Sequence, residues 1–127
     1  MDKSDFLEDA MLNHVLRDTP YTPSSTIEIS LFTVLPGEDG TGGTEVSGGS
    51  YVRQTVAFAA PVGGTVVNAG AVTFPQATAS WGTVVGVGLY EDGGGNLLYF
   101  GSLATNKVVD TGDQLSFANG SLTVSED

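Results

Sequence analysis

The sequence predicts an all-β fold: a single β-sandwich or jelly-roll-like domain with an N-terminal α-helix and an extended arm. Three observations support this prediction. The 127 residues include 18 glycines, which favours many tight turns over long helices. Short apolar runs rich in Val, Thr and aromatic residues recur at close spacing after residue 25. These runs follow one another without helical patterns between them, which is typical of antiparallel rather than parallel sheets.

Residues 4–17, SDFLEDAMLNHVLR, give the one convincing helical pattern. Ser4 suits the N-cap, and Arg17 suits the last turn, where the backbone dipole favours a cation. Apolar side chains at helical spacing predict a face that packs either on the chain's own body or on a neighbouring subunit. The candidate interface residues on this helix are Phe6, Leu7, Met11, His14 and Val15.

Residues 18–25, DTPYTPSS, predict a stiff connector, because two prolines fix the backbone and discourage a helix. Pro20, Tyr21 and Pro23 join the candidate interface. The pattern is compatible with a segment that reaches outward and equally with a helix folded back on the body. We therefore divide the chain into an N-terminal helix and arm, residues 1–25, and a β-sandwich domain, residues 26–127.

Apolar alternation predicts the first strands of the body. Residues 26–35 (TIEISLFTVL) and 51–59 (YVRQTVAFA) are separated by a long polar glycine loop. Residues 63–74 predict two short strands around an Asn-Ala-Gly turn. In the 51–59 run, we expect Val52, Val56 and Phe58 to point inward and Tyr51, Arg53 and Thr55 to point outward.

The stretch AVTFPQATASWGTVVGVGLYE, residues 71–91, predicts a wall of the sandwich. We expect a corner at Pro75, an anchor at Trp81, and a strand whose Gly86 and Gly88 admit a close neighbour. The EDGGG turn predicts a hairpin with the next run, NLLYFGSLA, and the Asn-Gly pair in FANGS predicts another hairpin. The predicted structural core residues are Phe58, Phe74, Trp81, Leu89 and Phe117.

Composition limits the partners of the chain. Fifteen acidic and four basic residues give a net charge of −11, which argues against nucleic acid and against an anionic membrane surface. The absence of cysteine excludes disulfides and thiolate metal sites. No apolar run approaches the roughly 18 residues of a membrane span. The first residues lack a secretory pattern, so we expect the chain to be made and assembled in a cytoplasm.

The residue pattern predicts no catalytic, cofactor-binding or metal-binding site. His14 is the only histidine and lies on the apolar helix face, where a packed or interfacial imidazole is the simplest interpretation. Acidic glycine turns such as 37–43 and 90–96 do not have the oxygen spacing of an EF-hand loop, which favours solvated carboxylates. A carbohydrate-binding module stays open as an alternative, because Trp81 and the tyrosines can stack on sugar rings.

Five segments occur in a fixed order along the chain. They are LFTVLP (31–36), TEVSGGSYVRQTVAF (44–58), AVTFPQATASWGTVVGVGLYE (71–91), GNLLYFGSL (95–103) and GDQLSFANGSLTV (112–124). Together they resemble a family of small tailed-bacteriophage virion proteins, commonly labelled phage tail fibre protein and similar to head decoration or cement proteins. The resemblance covers nearly the whole chain. It implies a virion structural protein and suggests no catalytic residues.

From this resemblance we expect a non-enzymatic virion structural protein. A capsid cement or decoration protein, bound to the outside of the major capsid shell, is the first hypothesis, because the chain has no long repetitive shaft. A tail or tail-fibre component that contacts other tail subunits or a host receptor is the alternative. A homo-oligomer is expected, with a trimer as the candidate, because it fits both a capsid three-fold axis and a fibre.

Overall fold

The computed structural model describes residues 1–126 and is built mainly from antiparallel strands, which confirms the predicted all-β class. Helix α1 is Asp5–Leu16, close to the predicted residues 4–17. The ten strands of the described residues are β1 (Asp2–Lys3), β2 (Ile27–Val34), β3 (Thr44–Glu45), β4 (Gln54–Val56), β5 (Thr65–Val67), β6 (Val72–Thr73), β7 (Gly82–Glu91), β8 (Leu97–Val109), β9 (Ser116–Phe117) and β10 (Thr123–Ser125).

The largest sheet has the strand order β1-β8-β7-β2-β3, and β4 also pairs with β2. Strands β7 and β8 form a long antiparallel hairpin, which confirms the hairpin predicted at the EDGGG turn. Gly93 and Gly94 have φ values of 74° and 78° in this turn, a conformation that glycine adopts without steric cost. Strand β7 pairs on its other side with β2, so the hairpin supplies the centre of the sheet.

Two small sheets, β5–β10 and β6–β9, form the second layer. The buried cluster contains apolar side chains from the large sheet and from both small sheets, so the core lies between the layers. Of the predicted core residues, Phe74, Trp81 and Leu89 are buried. Phe58 and Phe117 are partly buried and pack against the same cluster.

Trp81 lies at the centre of an aromatic group in this core. Its ring centroid is 5.5 Å from that of Tyr51 and 6.4 Å from that of Phe74. The indole N–H donates a hydrogen bond of 2.9 Å to the carbonyl oxygen of Gly49. The residue is only 5% exposed, so its ring is unavailable for stacking on a sugar.

Gly86 and Gly88 in β7 lie where other groups come very close. A Cβ atom at Gly86 would be 2.6 Å from the carbonyl oxygen of Gly101. A Cβ atom at Gly88 would be 2.7 Å from Cε2 of Phe32. These separations are too short for a side chain, which confirms the close approach predicted from the sequence.

The predicted inward and outward directions of the side chains in residues 51–59 are wrong for residues 51 and 52. Only Gln54–Val56 forms a strand, and Val52 is 56% exposed. Tyr51 points inward instead, with its ring stacked 6.0 Å from that of Phe74. Its hydroxyl accepts a hydrogen bond from the backbone N–H of Leu31. Alternation fails here because residues before Gln54 are not part of a strand.

The hairpin predicted at Asn119-Gly120 is also wrong. The turn itself forms, but β9 pairs with β6 and β10 pairs with β5, so the flanking strands belong to different sheets. The buried side chain of Asn68 accounts for this separation. Its Oδ1 accepts from the N–H of Leu122, and its Nδ2 donates to the carbonyl oxygen of Ala118. Both flanks of the turn are therefore bound to Asn68, and the N–H of Ser121 closes the turn itself on the carbonyl oxygen of Ala118.

Candidate interaction site

Helix α1 begins on the edge of the large sheet. Strand β1 pairs with β8, which places Lys3 opposite Tyr99. The N–H of Ser4 donates to the carbonyl oxygen of Leu98, and its hydroxyl donates to that of Leu97. The same hydroxyl accepts from the N–H of Leu7 and caps the helix, as the sequence predicts. The start of the helix is therefore fixed to β8 by main-chain and capping bonds.

The ammonium group of Lys3 secures the same end of the helix. It lies 2.8 Å from Oε2 of Glu126, whose other oxygen accepts a hydrogen bond from the Tyr99 hydroxyl. Burial would raise the pKa of Glu126, but the bonds from Lys3 and Tyr99 outweigh it and hold this pKa below its usual value. This contact connects β1 to the residues that follow β10.

Leu7 must be removed from the predicted interface. It is the one helix residue classed as buried and is only 6% exposed, because the N-terminal turn lies against the chain's own body. Its neighbour Phe6 points elsewhere and meets Tyr21 of the connector edge-on, with ring centroids 6.1 Å apart. The apolar helix residues thus divide among the body, the connector and solvent.

The connector folds back along the helix and the body, which decides between the two arrangements left open by the sequence. The N–H of Tyr21 donates to Nδ1 of His14, and its hydroxyl donates to Glu91. Burial, together with this bond to Glu91, raises the pKa of Tyr21 to about 12. His14 is exposed and accepts this bond from the connector, so its imidazole is not packed in the chain's own core, and the expected interfacial position stays a prediction. Pro20 and Pro23 are exposed.

The outward face of α1, defined as Met11, Leu12, Val15 and Leu16, is apolar and exposed. The exposed fractions are 40% for Met11, 55% for Leu12, 66% for Val15 and 73% for Leu16. Exposure increases along the chain because the helix is fixed at its beginning and has less of the body beneath its end. An exposed apolar face of this kind is typical of interaction surfaces. The sequence spacing identified Met11 and Val15 and left Leu12 and Leu16 out of the candidate set.

A polar network in the body has a structural role. Arg53 binds both carboxylate oxygens of Glu45, at 2.9 and 2.8 Å, and its guanidinium lies 3.8 Å from the ring centroid of Tyr90. The Tyr51 hydroxyl donates to the same carboxylate. Burial would raise the pKa of Glu45, but the bonds from Arg53 and Tyr51 hold it below its usual value.

Two other kinds of site are not found in residues 1–126. Within this part of the chain, no group of three or more His, Cys, Asp or Glu side chains is placed to hold a metal ion. No helix in the described residues has the length and apolar character needed to cross a bilayer.

An all-β body that presents an apolar helix face has the construction of a structural subunit in a larger assembly. The chain belongs to the family described as Podophage GP4 fiber I protein gp80, whose model matches residues 2–125. A search among curated proteins finds no match. The family match confirms the resemblance found in the sequence and identifies the chain as a phage structural protein of the virion.

Proposed function

We propose that this chain is a non-enzymatic fibre subunit that attaches to another virion protein through the outward face of α1. The observation that carries the proposal is the exposed apolar face at the end of the helix, on a chain whose family is described as a fibre protein. In this proposal residues 1–25 are the attachment segment, and the β-sandwich from residue 26 onward is a rigid scaffold.

These 127 residues have no sequence repeat of fixed period, so the proposal assigns them no part of a long fibre shaft. The family description favours the fibre over capsid cement, which was the first hypothesis from the sequence alone. Association of copies around a symmetry axis, with a trimer as the candidate, remains part of the proposal.

Immunogold labelling of intact particles with an antibody against this chain tests the location. We expect gold particles at the fibres or the tail. Label spread over the icosahedral head would overturn the fibre role and support a cement or decoration protein instead. Absence of label, when the chain is detected in the same particles by mass spectrometry, would mean that the antibody site is covered. A tag placed in the exposed loop at Gly93 then repeats the measurement.

A further inference from the structure

We propose that the outward face of α1 binds an apolar groove that is lined by Lys and Arg at one end and belongs to a different virion protein. The inference rests on the proposed function, because it specifies the partner of the same helix face. The partner groove is defined by its chemistry, and its charged end sets the direction in which α1 lies in it.

The apolar face continues into an acidic face along one side of the helix. Residues three or four positions apart lie on the same side of an α-helix. Asp5, Glu8 and Asp9 therefore lead directly into Leu12, which leads to Val15 and Leu16. The stripe is about 16 Å long at 1.5 Å per residue. Its first half is acidic and next to the body, and its second half is apolar and points away.

Among residues 1–126, neither ion pair includes a carboxylate of the acidic half. The pKa of Lys3 is raised chiefly by its hydrogen bond to Glu126, with a smaller contribution from Glu8, and its ammonium is paired with Glu126 at 2.8 Å. Arg53 is paired with Glu45 in the body. Arg17 follows the last residue of the helix and donates to the side chain of Asn13, an uncharged partner. The acidic half thus presents net negative charge to a partner.

Charge also argues against a second copy of this chain on the stripe. Each copy carries a net charge of −11, so its surface repels another acidic helix face. An apolar groove with basic residues at one end matches both halves of the stripe. This is the helix-in-groove mode of recognition, with the charges setting the direction. Contacts between copies, where they occur, then use other surfaces.

The test is competition for incorporation into particles. Infected cells supply wild-type chain and one variant in equal amounts, and mass spectrometry measures their ratio in purified particles. The variants are E8Q/D9Q and E8K/D9K, with D92K/D110K as a matched control in exposed loops. We expect graded exclusion of the variants from particles. Exclusion should be moderate for the neutral variant E8Q/D9Q and about tenfold or more for the lysine variant E8K/D9K. The control is incorporated as wild type.

Acids near the start of a helix also stabilise the helix itself. The melting temperature of each purified variant is therefore measured, and the neutral pair separates a loss of folding from a loss of charge. Incorporation of E8K/D9K at the wild-type level would overturn the basic groove, as would equal exclusion of D92K/D110K. If the antibody locates the chain at the fibre while E8K/D9K is incorporated normally, this inference fails and the proposed function stands. Gold label on the icosahedral head would contradict the proposed function but not this inference.

Discussion

The aromatic core and helix α1 use similar apolar side chains in opposite ways. Around Trp81, rings from distant parts of the chain contact one another and leave 5% of the tryptophan exposed. Along α1, burial is confined to Leu7 near the start, and Leu16 at the end is 73% exposed. The core stabilises the fold through burial, whereas the proposed function gives the exposed helix face the role of contact with another protein. Stability and attachment are therefore separable, and substitutions can test each region by itself.

The largest effect is expected for Trp81→Ala. Removing the ring leaves a cavity beside Tyr51 and Phe74 and eliminates the bond to Gly49, so the free energy of unfolding should fall by about 3–5 kcal/mol. Urea unfolding measures this change. Val52→Ala is the control, because Val52 is 56% exposed and its loss should cost within about 0.5 kcal/mol. Equal effects of the two substitutions would contradict the assignment of Trp81 to the core.

The next effect is expected for Gly86→Ala. The added methyl group would lie 2.6 Å from the carbonyl oxygen of Gly101 and would also collide with Leu35. Overpacking of this kind costs about 1–3 kcal/mol of unfolding free energy. Gly101→Ala is the matched control on the partner strand, since its methyl group would lie 3.3 Å from Met1 at the chain's first residue. A neutral Gly86→Ala would show that β7 and its neighbours can separate.

A smaller effect, dependent on pH, is expected for Glu45→Gln. The pKa of Glu45 is lower in the folded chain than its ordinary value of 4.5, so its ionised form stabilises the fold. This contribution is present above about pH 4.5 and is lost as the pH falls through the folded-state pKa. The difference in unfolding free energy between wild type and variant should therefore shrink on acidification. A difference that stays constant with pH would refute the role of the Arg53–Glu45 pair.

The smallest effect on stability is expected on the outward face of α1. The triple variant L12Q/V15Q/L16Q changes side chains that are more than half exposed, and glutamine keeps good helix propensity. Its free energy of unfolding should stay within about 1 kcal/mol of wild type. A loss as large as that of Trp81→Ala would mean that this face is covered by the chain itself.

Local signals predicted much of the fold. The helix follows from Ser4 and the acids of its first turn, whose effects act within a few residues. The β7–β8 hairpin follows from the glycines of its turn, and the close packing of β7 follows from the missing side chains of Gly86 and Gly88. The sequence signal of each feature is local, although the groups that approach Gly86 and Gly88 come from other segments of the chain.

The sequence-based predictions that the structure contradicts share a different cause, which is contact between residues that are distant in the sequence. Tyr51 points inward because Phe74 and Leu31 supply its partners, and neither lies near it in the sequence. The strands on either side of Asn119 separate because Asn68 binds the turn, and Asn68 precedes it by about 50 residues. Helical spacing found the apolar face of α1. The docking of β1 on β8 decides that Leu7 is buried while Leu16 is exposed.

The most direct test of the account is the incorporation of L12Q/V15Q/L16Q into particles in competition with wild type. The control variant is V62Q/V108Q, which places the same residue at two valines that are 81% and 63% exposed in the body. The account predicts that the helix variant has a melting temperature close to wild type and is about tenfold or more depleted from particles, while the control is incorporated normally. Equal incorporation of the helix variant and wild type would contradict attachment through this face.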